Sequence, residues 1–146
     1  MRALLQRVRS ARVEVDGRVA GEIGPGLVVL LGVGRGDTPE RARALARKVV
    51  ELRVFPDERH SMNRSLGDAG GEVLLVSQFT LYADTTRGRR PSFEAAEEPA
   101  RARELYGEFA AALAGLGHPP REGVFGAHML VSLENDGPVT VLLESS

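Results

Sequence analysis

The run Leu27-Val28-Val29-Leu30-Leu31-Gly32-Val33 constrains the fold more than any other stretch of this chain. It is continuously apolar and rich in β-branched side chains. An apolar run of strand length without polar alternation marks a strand buried on both faces. Gly24-Pro25-Gly26 precedes it and Gly34 to Asp37 follows it as breaks, so the run is bounded as a strand should be. A strand of this kind needs cover on both sides, and the flanking sequence supplies candidates.

Met1 to Val15 alternates as a strand, with Leu5, Val8, Val13 and Val15 set among arginines. Asp16-Gly17 is a two-residue hairpin turn, and Arg18 to Ile23 returns as the partner strand. Thr38-Pro39 opens a helix, with Thr as cap and Pro in the first helical position. Ala42, Leu45, Val49 and Leu52 then recur at three- and four-residue steps, the apolar stripe of an amphipathic helix. Val54-Phe55-Pro56 ends this helix or forms a short edge strand. Asp57 to Gly71 is polar and glycine-rich, a surface loop. Glu72 to Leu81 is a long strand, apolar at first and mixed from Ser77 onward. Ala83 to Pro91 is a loop. A second amphipathic helix runs from about Pro99 to Leu116 and buries Leu105, Phe109, Ala112, Leu113 and Leu116. Gly117-His118-Pro119-Pro120 ends it. Val124 to Leu133 and Val139 to Leu143 are the last strands, with Asn135-Asp136-Gly137-Pro138-Val139-Thr140 between them. Asn, Asp and Gly favour turns, and Pro withholds a ladder donor. This insert is either a plain connecting turn or a rigid exposed backbone shape at the mouth of a sheet. The expected fold is α+β: a single domain over residues 1–146, with largely antiparallel β-sheets and two amphipathic helices packed on them.

Composition narrows the function. The 146 residues suit one domain with one good core. No apolar stretch is long enough to span a membrane, and the arginine-bearing N-terminus has no secretory leader pattern. The expected location is cytoplasmic. There is no cysteine, which excludes disulfides, thiolate metal sites and a Cys nucleophile. A net charge of −1 argues against extended nucleic-acid binding but permits a local basic patch. Every basic residue but Lys48 is arginine.

Familiar catalytic patterns are missing. His60 lies in a loop, His118 at a helix end, and no strand–turn–helix nucleophile elbow is present. No histidine pair has metal-ligand spacing, so neither metal nor cofactor is expected. Gly32-Val33-Gly34-Arg35-Gly36-Asp37 resembles a phosphate loop only loosely, without its Gly-Lys-Ser/Thr ending. Two features remain. Ser77-Gln78-Phe79-Thr80 puts three hydrogen-bonding side chains at the end of an apolar strand. They either emerge into solvent or line a polar pocket, because burying one unpaired costs about 1–3 kcal/mol. Arg87-Gly88-Arg89-Arg90-Pro91-Ser92-Phe93 is a basic loop with an aromatic close by, suited to phosphate contact and base stacking or simply to solvent.

Taken together, Ser77-Gln78-Phe79-Thr80-Leu81 and Asn135-Asp136-Gly137-Pro138-Val139-Thr140 resemble the two signatures of the D-aminoacyl-tRNA deacylases, also called D-tyrosyl-tRNA deacylases. Ala3 to Val8, Gly21 to Gly24, Arg89 to Phe93 and Gly123 to Ala127 resemble that family in order and spacing. The resemblance implies a homodimer with active sites at the subunit interface. It implies metal-free hydrolysis of the ester between a D-amino acid and the 3′-terminal adenosine of tRNA. It gives Ser77, Gln78, Phe79 and Thr80 to the catalytic strand facing the ester. Gly137 and Pro138, with a cis bond between them, would enter the other subunit's pocket. Arg7 would hold that loop, and Phe125 and Met129 would line the substrate site. Arg87, Arg89 and Arg90 would meet tRNA; this loop is more arginine-rich than the family pattern leads one to expect.

Overall fold

The computed structural model describes residues 1–145. The first strand, β1 (Arg2–Val15), organises the sheet. Asp16 and Gly17 at φ 51° and 76° make the expected tight turn into β2 (Arg18–Ile23). The doubly buried run is β3 (Gly26–Gly32). β1 pairs with β3 through its first half, Arg2 with Gly32 to Val8 with Gly26, and with β2 through its second half, Ala11 with Ile23 to Val15 with Arg18. Its other edge is taken along its length by β6 (Leu130–Glu144).

The sheet is mixed rather than largely antiparallel. β4 (Glu72–Ser77) pairs parallel with β3, and the short β5 (Arg121–Glu122) pairs parallel with β4. The cause is connectivity. A helix-bearing crossover follows β3 and another follows β4, and such connections return the chain to the same end of the sheet. The first carries α1 (Pro39–Glu51) and the one-turn α2 (Leu66–Ala69); the second carries α3 (Pro99–Gly115). The helix starts form where expected: Thr38 Oγ1 accepts the Arg41 N–H at 3.2 Å, and Pro39 and Pro99 open their helices. α2 falls inside the expected loop, closed by a reciprocal Ser65–Asp68 capping box. The sheet curls into a barrel-like form, bringing β2 so near β5 that a Cβ on Gly21 would meet the Glu122 carbonyl oxygen at 2.7 Å.

Both faces of β3 are covered. Leu27, Val29 and Leu31 join Leu5, Val73 and Leu75 beneath Leu45 and Val49 of α1 and Leu105, Phe109 and Leu113 of α3. The alternate residue Val28 joins Val8, Val13, Ile23, Leu74 and Val76 inside the curl. Each fully buried aliphatic side chain is worth about 1.5–3 kcal/mol, so the two layers hold the sheet from both sides.

The closing hairpin is not formed. Leu130 to Glu144 is one strand, because both apolar runs find the same edge of β1: Val131 pairs with Val13, and Val141 with Leu5. Gln6 pairs with Thr140 and Val8 with Asn135, so Asp136, Gly137, Pro138 and Val139 stand opposite Arg7 alone. The expected turn is thus a large bulge within a strand.

Candidate active site

β4 does not continue to Leu81. Its pairing with β3 ends at Leu31 and Ser77, and the Gln78 N–H donates to the Leu31 carbonyl at 2.8 Å. The chain then winds into a 3₁₀ turn over Phe79–Tyr82. Gly32 gives this turn room: a Cβ there would lie 3.1 Å from Leu81 Cβ. The turn is also held by Tyr82, whose ring receives the Arg2 guanidinium at 4.5 Å. Burial, with Asp37 nearby, pushes the Tyr82 hydroxyl up to about 12.

The turn opens onto a cavity of about 660 Å³. Val76, Ser77, Gln78 and Phe79 form one wall. Phe93 and the first residues of α3, Pro99 and Ala102, form a second. The third is the segment Phe125 to Met129. This segment is not strand, as the sequence pattern suggests for Val124 onward. Ala127 N–H closes a turn onto the Val124 carbonyl at 3.1 Å, and Gly126 takes φ 80°. A largely apolar lining with a few convergent polar groups is the usual make-up of a ligand site.

Five residues singled out in the sequence therefore share one cavity: Ser77, Gln78, Phe79, Phe125 and Met129. Phe79 is 56% exposed and packs edge-on against Phe93, with ring centroids 5.0 Å apart. Thr80 sits just outside the lining, and its hydroxyl accepts a hydrogen bond from the Gln78 amide. An amide cannot take the hydroxyl proton, so this contact orients Thr80 without activating it.

Arg7, Gly137 and Pro138 form a separate unit. Among the described residues, the bulge does not line the cavity of its own chain. Gly137 has φ 138°, and the Gly137–Pro138 peptide is cis. Asn135 braces the base of the bulge: its Oδ1 accepts the Val139 N–H at 3.0 Å, and its Nδ2 donates to Thr140 Oγ1 at 2.9 Å. Arg7 lies beneath, only 8% exposed. It donates to the carbonyls of Asp136 at 3.0 Å, Val54 at 2.7 Å and Ser61 at 3.2 Å.

Arg87, Arg89 and Arg90 stand exposed on a loop outside the cavity. The loop is closed by paired backbone bonds between Asp84 and Ser92 at 2.7 and 2.8 Å. Phe93, which follows Ser92, carries the chain into the cavity wall. Thr86 donates twice to the Asp84 carboxylate and holds its pKa below the ordinary value.

Further ionisable residues surround the cavity beyond those the motifs pointed to. Arg35, Glu97, Glu98 and His128 all line it. Arg35 stood in the loose glycine loop, and Glu97-Glu98 immediately before a helix start; neither pattern carries a catalytic signal. The backbone bond from Arg35 N–H to the Ala95 carbonyl at 3.0 Å, which unites these segments, is non-local.

A family model described as D-Tyr-tRNA(Tyr) deacylase matches residues 4–144. A D-aminoacyl-tRNA deacylase of Deinococcus radiodurans is 60% identical over 144 residues, covering 99% of this chain and 99% of its own. A protein of the same description from Roseiflexus castenholzii is 58% identical over 146 residues, covering 100% of this chain and 93% of its own. A solved structure described as c-Myc DNA Unwinding Element Binding Protein matches with TM-score 0.94 and 40% identity, over 100% of this chain and 99% of that one. Another, described as a probable eukaryotic D-amino acid tRNA deacylase, matches with TM-score 0.81 at 19% identity over 97% of each chain, a likeness of fold.

Proposed function

The chain belongs to the D-Tyr-tRNA(Tyr) deacylase family of hydrolases, and from this we propose that it removes D-amino acids from tRNA as a homodimer whose two motifs meet across the subunit interface. The observation that carries the proposal is the separation of those motifs. The Ser77-Gln78-Phe79 wall borders a cavity, while the exposed Gly137-Pro138 bulge stands away from it, braced by Asn135 and Arg7. A bulge held this firmly and facing solvent suits insertion into a second copy. Leu130 and Leu142 on β6, 60% and 48% exposed, offer apolar surface for such a contact.

In this reading the acyl ester of the 3′-terminal adenosine enters the cavity beside the Phe79–Tyr82 turn. The N–H groups of Phe79 and Thr80 begin that turn, and neither has an internal acceptor within it. They stabilise the oxyanion that forms as water attacks the carbonyl carbon. The ester C–O bond then breaks and the ribose oxygen leaves with a proton. Thr80 positions the water but does not attack, since its partner Gln78 is no base. The substrate's own ribose hydroxyl assists the water. No metal or cofactor is required. Arg87, Arg89 and Arg90 meet the phosphates of the acceptor end.

Chirality arises by exclusion. The Gly137-Pro138 backbone binds the α-amino group and leaves no space for an L side chain, whereas D side chains of many sizes are accepted. Among the described residues no helix is long and apolar enough to cross a membrane. In this reading the substrate is charged tRNA, and the protein works in the cytoplasm where that pool is.

The first test is deacylation of D-Tyr-tRNA against L-Tyr-tRNA by the EDTA-treated protein. Rapid loss of the D-form alone supports the proposal. Loss of both makes the protein a general aminoacyl esterase. Loss of neither, with tight duplex DNA binding at physiological salt, favours the DNA-binding description of the 40%-identical structure. The net charge of −1 weighs against that second reading.

A further inference from the structure

The third cavity wall is attached in an unusual way. The turn at Val124–Ala127 makes its own backbone bond, Ala127 N–H to Val124 O at 3.1 Å. The Phe125 ring of this turn packs on the body of the fold. The Arg103 guanidinium carbon lies 4.6 Å from the centroid of that ring. The Tyr106 ring meets it edge-on, 5.7 Å away and at 64°. Arg103 and Tyr106 stand three residues apart on one face of α3. Tyr106 also reaches β4, just before the strand enters the cavity wall. Its hydroxyl donates to the Leu75 carbonyl of β4 at 3.3 Å, and the same carbonyl accepts the Gly123 N–H at 3.1 Å just before the turn begins. Two residues beyond Leu75 is Ser77. One helix face therefore holds both the turn and the strand that leads to Ser77. Gly126 is set by its backbone, φ 80°, and a Cβ there would only touch the outer guanidinium nitrogen of Arg103 at 4.0 Å.

We propose that Arg103 and Tyr106 are positioning residues which set the width of the substrate cavity through Phe125. The proposal rests on the deacylase reading of that cavity. Arg103 touches neither Ser77, Gln78 nor Thr80, so loosening the grip weakens substrate seating and leaves the chemical step alone.

The test uses two substrates: D-Tyr-tRNA, and the adenosine ester of D-tyrosine, which has no phosphate. Arg103→Met is expected to raise KM about fivefold on both, the upper effect of an exposed cation–π contact, with kcat held. Arg103→Lys, which keeps the cation over the ring, restores KM. In a Phe125→Leu background Arg103→Met adds nothing further. Thermal melting of each variant separates folding defects from seating. An unchanged KM on the adenosine ester overturns the proposal. So does a rise on tRNA alone, which would make Arg103 a direct phosphate contact, and so does an undiminished effect in the Phe125→Leu background. A wild-type protein inert on both substrates removes the deacylase reading, and this inference with it.

Discussion

The Arg7 Nε–H donates to the main-chain oxygen of Asp136 at 3.0 Å, while the Asp136 carboxylate lies 4.0 Å from the same nitrogen. One buried cation thus ties the first strand to the bulge of the last. The guanidinium also reaches Val54 and Ser61, so the loop after α1 is part of the same support.

Replacing Arg7 with Ala removes every one of these charge-assisted bonds and leaves three carbonyls short of a donor. The expected loss is about 3 kcal/mol in chemical unfolding. Arg7→Lys is expected to recover little, because a point charge does not reproduce the guanidinium fork. L-Tyr-tRNA hydrolysis, measured in parallel, is expected to rise as the bulge loosens. Unchanged stability and unchanged chiral selectivity would remove Arg7 from both roles.

Gly137→Ala tests the shape of the bulge directly. At φ 138° a Cβ would come within 2.8 Å of Val139 Cγ2 and 3.1 Å of an Arg7 guanidinium nitrogen. The backbone must shift, at a cost of about 1–3 kcal/mol. The prediction is a lower melting temperature together with a smaller ratio of D- to L-Tyr-tRNA cleavage. A variant as selective as the wild type would show that this backbone does not set chirality.

Thr80→Ala and Thr80→Val are expected to slow deacylation less than about tenfold, or about 1.4 kcal/mol of barrier. Single-turnover kinetics on D-Tyr-tRNA give the number. A fall of about four orders of magnitude is instead the signature of a lost nucleophile.

Exclusion of L side chains makes a prediction about the one amino acid without a side chain. Glycyl-tRNA is expected to be cleaved, since glycine presents nothing to the Gly137-Pro138 backbone. Resistance of glycyl-tRNA at high enzyme concentration, with D-Tyr-tRNA cleaved in the same tube, contradicts exclusion.

Acid acts on the support beneath the bulge. The Asp57 carboxyl accepts bonds from the Asn63 side chain and from the N–H groups of His60 and Arg59, which hold its pKa below the ordinary 3.8. The folded form therefore binds this proton less readily than the unfolded form. The stabilisation is complete above 3.8 and is lost as pH falls through the lowered folded value. Asp57→Asn is expected to flatten the fall of stability with acid in that window, read from urea midpoints across pH. Parallel curves for variant and wild type would show that Asp57 contributes nothing to it.

What the sequence determined was local. Asp16-Gly17 could take the positive φ values of a tight hairpin turn, so the hairpin formed there. Thr38-Pro39 carried both a capping oxygen and a preset φ, so α1 began there. Leu27 to Gly32 had no polar face to offer water, so β3 is covered on both sides. The two motifs around Ser77 and Gly137 were legible as residues, through their family resemblance, but not as geometry. Tertiary structure decided how strands were partnered. Alternation tells which face of a strand is buried, but not which edge it will find. Both halves of Leu130–Glu144 found β1, which turned an expected hairpin turn into a bulge over Arg7. β4 ran out of partner at Leu31, which ended it at Ser77 and wound Phe79–Tyr82 into the turn at the cavity. Helical crossovers made β3, β4 and β5 parallel and gathered Arg35, Phe93, Phe125 and His128 around one space. Hydrogen-bond pairing between distant segments set these positions, and no local pattern carries that information.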